Sequence, residues 1–251
     1  KPQKVVEQWM ERWPDRIQVI EPQPVTAREL SLAHDPTYVQ EILGCRRHNG
    51  FGNLSRSVAD SLPWTTGSFV SATRHVVEHG GVACSPTSGF HHACYARSGG
   101  FCTFNGLVVA AMLVHPQVER VGILDCDYHW GNGTDDILAQ RRIRFVEHYT
   151  TGGPSGSSDA EAFLAELPEL LESMQVNLLL YQAGADAHVD DPLGGWMSAQ
   201  QMRLRDRLVF QFCRTHGIPI VWNLAGGYQE DFQAVLDLHH ATMEECLNIF
   251  G

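Results

Sequence analysis

Short, almost wholly apolar runs alternate along the chain with longer segments in which apolar residues recur every three or four positions. The runs are GVACS (81–85), VGILDCDY (121–128), IRFVEHY (143–149), VNLLLYQA (176–183) and IPIVWNL (218–224). The longer segments predict helices over 33–44, 68–81, 106–115, 135–140, 159–174, 198–216 and 231–249. Asp35-Pro36 starts the first of these and Gly44 ends it; Asp159 can cap the fifth and Gly217 closes the sixth. Apolar strands without polar alternation, separated by amphipathic helices, predict a parallel sheet covered on both faces. The expected architecture is α/β, a single three-layer domain over residues 1–251. In such sheets ligands bind outside the carboxyl ends of the strands.

Those ends carry the polar chemistry. After VGIL come Asp125, Asp127 and His129, and then WGNG. A strand turns residues i, i+2 and i+4 to one side, which would put two carboxylates and an imidazole on one face. Buried charges need a partner or a metal. After VNLLLYQ comes AGADAHVDDPLGG with Asp186, His188, Asp190 and Asp191; after IPIVWN comes LAGGYQ with Tyr228. After GVACS comes PTSGFHHACYARSGGFCTFNG, with His91 and His92 adjacent. Three ligands of His and Asp type with an open position describe a catalytic zinc site or a related divalent one. Taken singly, each Asp reads as a turn former or helix cap, and Tyr228 equally as packing. His188, Asp190 and Asp191 read as shaping their loop rather than as ligands.

Composition narrows the partners. The 251 residues hold 18 Lys and Arg against 29 Asp and Glu, a formal charge of −11, which argues against nucleic acid and suits a cationic substrate or product. Seven scattered cysteines form no C-x-x-C pair and so suggest neither a disulfide framework nor a zinc knuckle. They predict a reducing compartment, hence the cytoplasm, with the nucleus open to the protein in a eukaryote. No apolar run is long enough for a membrane span, and the first residues have no signal-peptide pattern.

SGFHHA, GGFCTFNG, ILDCDYHWGNG, AGADAHVDDPLGG and LAGGYQ follow one another in an order and spacing that resembles the histone deacetylase family. That family includes bacterial deacetylase-like and acetylpolyamine amidohydrolases on the arginase-deacetylase fold, and the resemblance runs from about residue 33 to the end. It implies that Asp127, His129 and Asp186 hold Zn²⁺, while His91 and His92 act as general acid and base. Asp125 would orient His91, and Asn132 would partner His92, as in class II members where class I members carry Asp. Tyr228 would stabilise the oxyanion. Phe101 would wall a tunnel for an acyl-lysine-like chain, with Gly100 permitting close approach.

The resemblance also implies an inner potassium site near Asp125, although RFVEHY lacks the serine found there in many members. It implies an amino-terminal segment with a His-Pro-Glu-like stretch ahead of residue 1. The loop after Tyr149 is shorter than usual and has no phenylalanine. Asp60 is a candidate, without firm alignment, for the rim aspartate that grips substrate. The expected activity is zinc-dependent removal of an acyl group, acetyl first, from a lysine in protein or from a small amine such as a polyamine. The alternatives are an arginase-like hydrolase with two Mn²⁺ ions and a non-catalytic acyl-lysine binder. Oligomeric state is open.

Overall fold

The computed structural model describes residues 1–152 and 159–251. Part of the loop expected after Tyr149 (153–158) therefore lies outside the described residues. Fourteen elements follow in the order α1 (Pro2–Arg12), α2 (Ala27–Leu30), α3 (Pro36–Leu43), α4 (Arg56–His79), β1 (Val82–Ser85), α5 (Gly106–Val114) and β2 (Val121–Asp125). The second half continues with α6 (Asn132–Arg141), β3 (Val146–Thr150), α7 (Ala160–Met174), β4 (Leu178–Gly184), α8 (Ala199–His216), β5 (Ile220–Ala225) and α9 (Phe232–Phe250).

The strands form one sheet in the order β1-β5-β4-β2-β3, and every pairing is parallel. Side chains alternate between two cores, as a pleated strand requires. Val121 and Ile123 of β2, with Leu178 and Leu180 of β4, pack with α3, α4 and α5. Leu124, Leu179, Tyr181 and Trp222 face the other way, onto α7, α8 and α9. The chain leaves β2 to build β3 on one side and then returns to place β4 on the other. That reversal opens a crevice at the carboxyl ends of β2 and β4, the usual ligand position in an open α/β sheet.

Local signals start the helices. Asp35 Oδ1 accepts from the Tyr38 amide at 3.0 Å, Asp159 Oδ1 accepts from Glu161 at 2.9 Å, and Ser198 forms a capping box with Gln201. Among the elements that exceed the sequence expectation, α1 and α4 do so most. α1 lies in a stretch whose prolines read as punctuation, yet Val5 and Trp9, one turn apart, are buried, with Trp9 5.6 Å from Trp222. α4 begins twelve residues ahead of the expected start at 68 and passes through Pro63. An interior proline costs about 3 kcal/mol. The buried face of α4, including Leu62, Phe69, Val70 and Val76, offsets that cost.

Gly67 of α4 shows how tightly this helix is seated. A Cβ there would run into the Gln23 carbonyl oxygen and lie 2.9 Å from Pro24 Cα, both of them backbone. Alanine in place of an interior helix glycine gains about 1 kcal/mol in propensity, whereas overpacking against backbone costs about 1–3 kcal/mol. Gly67→Ala is therefore expected to lower the urea midpoint; an unchanged or raised midpoint would show that residues 23–24 move aside at little cost.

Candidate active site

β2 ends at Asp125, so Asp127 and His129 lie in the following turn rather than on an extended strand as the alternation suggested. They converge through a ladder of side chain to main chain hydrogen bonds instead. Asp125 Oδ1 accepts from the Asp127 amide at 3.1 Å, and Asp127 Oδ1 accepts from the His129 amide at 2.9 Å. Each carboxylate thus caps the amide two residues on, the habit of Asp in turns. Asp186, just past β4, accepts from the Tyr128 amide at 3.1 Å and draws the turn toward β4. Thr151 donates to the Asp127 carbonyl at 2.7 Å from the β3 side.

The ligand atoms of Asp127, His129 and Asp186 all lie within 4.8 Å of one another. His129 Nδ1 is 3.1 Å from Asp127 Oδ1 and 3.0 Å from Asp186 Oδ2. Donors bonded tetrahedrally to one zinc at about 2 Å stand roughly 3.3 Å apart, so the set has the right compactness. Electrostatics point the same way. Burial and the neighbouring Asp127 charge push Asp186 up to about 7. Hydrogen bonds to Asp127 and Asp186 push His129 up to about 10. Burial opposes the charge on Asp127, but His91 and His129 hold it below the usual carboxylate range. Two buried carboxylates sharing one imidazole make a donor set that a divalent cation fits and relieves.

The tandem histidines stand beside this cluster with ring centroids 4.1 Å apart. His91 Nδ1 is 2.6 Å from Asp125 Oδ2, and although burial disfavours its charge, Asp125 and Asp127 push it up to about 9. His92 Nδ1 is 2.7 Å from Asn132 Oδ1. An amide oxygen accepts, so Nδ1 carries the proton and Nε2 is left with its lone pair. Burial first and the His91 charge second lower the His92 pKa. The two imidazoles are therefore unlike, one held charged by a carboxylate and one kept neutral by burial and its charged neighbour, with an amide oxygen fixing which nitrogen carries its proton.

Tyr228 follows Gly226 and Gly227, both at positive φ; a Cβ at Gly226 would collide with the Asp186 carboxylate. The Tyr228 amide donates to Asp191 Oδ2 at 2.8 Å, and its ring lies 6.4 Å from His129 and 6.3 Å from Phe101. Burial and the charges of Asp127 and Asp186 raise its pKa, so the phenol keeps its proton. Phe101 is 59% exposed at φ 64°, and Gly100 lets the chain close over His92, whose ring a Cβ would strike. All ten residues expected from the sequence thus surround one crevice. Asp60 instead pairs with Arg56 at 3.5 Å on the exposed flank of α4.

Residues outside that expectation also build the site. Gln182 of β4 donates to Asp125 Oδ1 at 2.9 Å and accepts from the Phe90 amide at 3.1 Å, tying β1's loop to β2. Arg205 of α8, buried and paired with Asp206 at 2.8 Å, donates to the Gly184 carbonyl at 3.0 Å behind the crevice. Phe51 lies 6.0 Å from Phe101 at the mouth. A polar residue inside an apolar run is the one signal that marked Gln182. Asp191 was legible as a loop former, and it is one: it caps Leu193 at 3.0 Å while holding Tyr228.

Without metal, the imidazoles set a pH dependence of stability. His91 at about 9 and His129 at about 10, both from 6.5, supply stabilisation that is full below the unfolded value and lost as pH rises through the folded ones. Asp186, raised from 3.8 to about 7, adds a loss in the same direction at lower pH. The melting temperature of metal-stripped protein is expected to fall between about pH 6 and pH 10, and saturating zinc to flatten that fall. Calorimetry across this range checks it; a flat metal-free profile would contradict the charge assignment.

A model of the histone deacetylase domain matches residues 3–162 and 153–243. An uncharacterized protein of Picosynechococcus is 29% identical, covering 93% of this chain and 86% of its own. Histone deacetylase 2 of Arabidopsis thaliana is 32% identical over 62% of this chain, which spans 46% of that relative's length. The acetylpolyamine aminohydrolase structure of Burkholderia pseudomallei superposes with a TM-score of 0.81 at 17% identity, covering 100% of this chain and 91% of its own. The three-layer arrangement expected from the sequence is therefore the arginase-deacetylase fold, and the chain belongs to the histone deacetylase family.

Proposed function

We propose that this chain is a zinc-dependent amidohydrolase that removes a short acyl group, acetyl first, from the amine of a lysine-like substrate. The observation that carries the reading is the pairing of unlike imidazoles, His91 on Asp125 and His92 on Asn132, beside the Asp127–His129–Asp186 cluster. Family membership and the donor set support zinc at that cluster. Bound there, a divalent ion supplies a Lewis acid that polarises the acyl carbonyl and eases deprotonation of water.

His92 Nε2, the neutral nitrogen with a free lone pair, takes the proton from the attacking water. His91, held charged by Asp125, orients that water and offers its proton toward the departing amine. The Tyr228 phenol donates to the carbonyl oxygen as that oxygen gains charge. Phe101, Phe51 and Tyr228 flank the mouth with aromatic surface suited to an aliphatic stem. Among the described residues one three-donor cluster occurs, which favours a single metal over a binuclear arginase-like centre.

The substrate is an acylated lysine in protein or an acylated polyamine. Resemblance in fold to an acetylpolyamine aminohydrolase keeps the second in view. Elemental analysis joined to an acetate-release assay on an acetyl-lysine peptide and an acetylated polyamine tests both. About one zinc per chain and chelator-sensitive, zinc-restored turnover are expected. His92→Ala should lower kcat by about 10²–10⁴-fold, and Tyr228→Phe by about 10²–10³-fold. Unchanged rates in both variants would sink the mechanism. Two manganese ions per chain would favour the arginase-like alternative, and binding without turnover an acyl-lysine binder.

A further inference from the structure

His148 on β3 is a buried imidazole that the mechanism above does not use. Its side chain is 3% exposed, and its Nδ1 lies 2.7 Å from Asp135 Oδ1 in the first turn of α6. The other oxygen of Asp135 accepts from Trp130 Nε1 at 2.7 Å. With Nδ1–H directed to the carboxylate, Nε2 becomes the far corner of the ring. That nitrogen is buried and has no hydrogen-bond partner among the described residues. A buried polar atom left so is destabilising, which calls for a reason.

Gly131 shows what the ring faces. A Cβ at that position would stand 2.6 Å from Asp125 Oδ2 and 3.0 Å from both Cε1 and Nε2 of His148. The imidazole edge and the carboxylate edge therefore flank the same glycine, with no room for a side chain between them. Oδ2 is the oxygen that meets His91, whereas Oδ1 is already held by the Asp127 amide and Gln182. The Gly131 amide donates to Thr150 Oγ1 at 3.1 Å, which fixes this backbone against β3.

We propose that His148 is a positioning residue for the reaction: braced by Asp135, it buttresses Asp125 across Gly131 and so fixes the carboxylate that orients His91. The same Asp135 holds Trp130, and with it the turn that carries His129. The hydrogen bond from His148 holds the Asp135 carboxyl below its usual range, in keeping with a firm brace. Nothing in this arrangement touches substrate. The inference rests on the reading of His91 and Asp125 given under Proposed function.

His148→Asn keeps a donor near Asp135 but removes the ring edge that faces Asp125. Asp135→Asn keeps the shape of the brace and removes its charge. In zinc-replete protein each is expected to lower kcat about tenfold, a fraction of what a general base contributes, with KM within about twofold and zinc content unchanged. The double variant should lose about as much as either single one, because the two act as a unit. A merely structural role would not move the downfield proton resonance of the short His91–Asp125 hydrogen bond; this proposal expects that resonance to shift in His148→Asn.

A folded His148→Asn protein with an unmoved resonance overturns the proposal, whatever its rate, and so does a wild-type kcat. Should His148→Asn fail to fold, the same two readings on Asp135→Asn decide. If wild-type protein hydrolyses neither test substrate, the functional reading fails by itself, and the resonance alone still judges the brace.

Discussion

Two carboxylates, Asp127 and Asp186, are buried within reach of one imidazole, and the surrounding architecture serves that awkward arrangement. Two like charges about 4 Å apart repel by about 4 kcal/mol at an effective dielectric of 20. The acids meet because the strand order reverses at β2, which sets the parallel β2 and β4 side by side although distant in sequence. Main-chain amides of Tyr128 and His129 then point at the acids and partly neutralise them. A divalent cation would complete what the amides begin, and the same field that would bind it holds His91 charged and the Tyr228 phenol protonated.

Close backbone approach is the second requirement. Gly184 lies so near Asp127 that a methyl group would meet its Cα, and Gly226 lies equally near Asp186. Arg205 seals the rear by holding the Gly184 carbonyl, with its own charge answered by Asp206, which Tyr181 and Thr242 also bond. The acids thus sit between glycines in front and a buried ion pair behind, a setting in which water has little access.

Much of this was legible in the sequence. Five apolar runs gave the strands, and the polar residues just beyond them gave the Asp127–His129–Asp186 cluster, the His pair and Tyr228. Extent was harder to read. The pattern Asp125, Asp127, His129 imitates a strand, but the spacing of two arises from turns in which each acid caps an amide two residues away. Pro63 hid the first turns of α4, since its local penalty is visible in sequence while the tertiary burial that outweighs it is not. Gln182 showed only as a polar residue in an apolar run, and Arg205 and His148 were silent, for a related reason. Their roles depend on partners 57, 21 and 13 positions away, and no local periodicity marks such a pairing.

The ladder of acids and amides also divides labour along the turn. Residues 125, 127 and 129 are held through main-chain donors that any amino acid other than proline supplies. The intervening Tyr128 and Trp130 project outward, 36% and 43% exposed. Chemistry and surface are therefore interleaved on one short segment. Evolution can rewrite Tyr128, and with it part of what the mouth admits, while Trp130 stays tied to Asp135 and the inner positions keep the same shape.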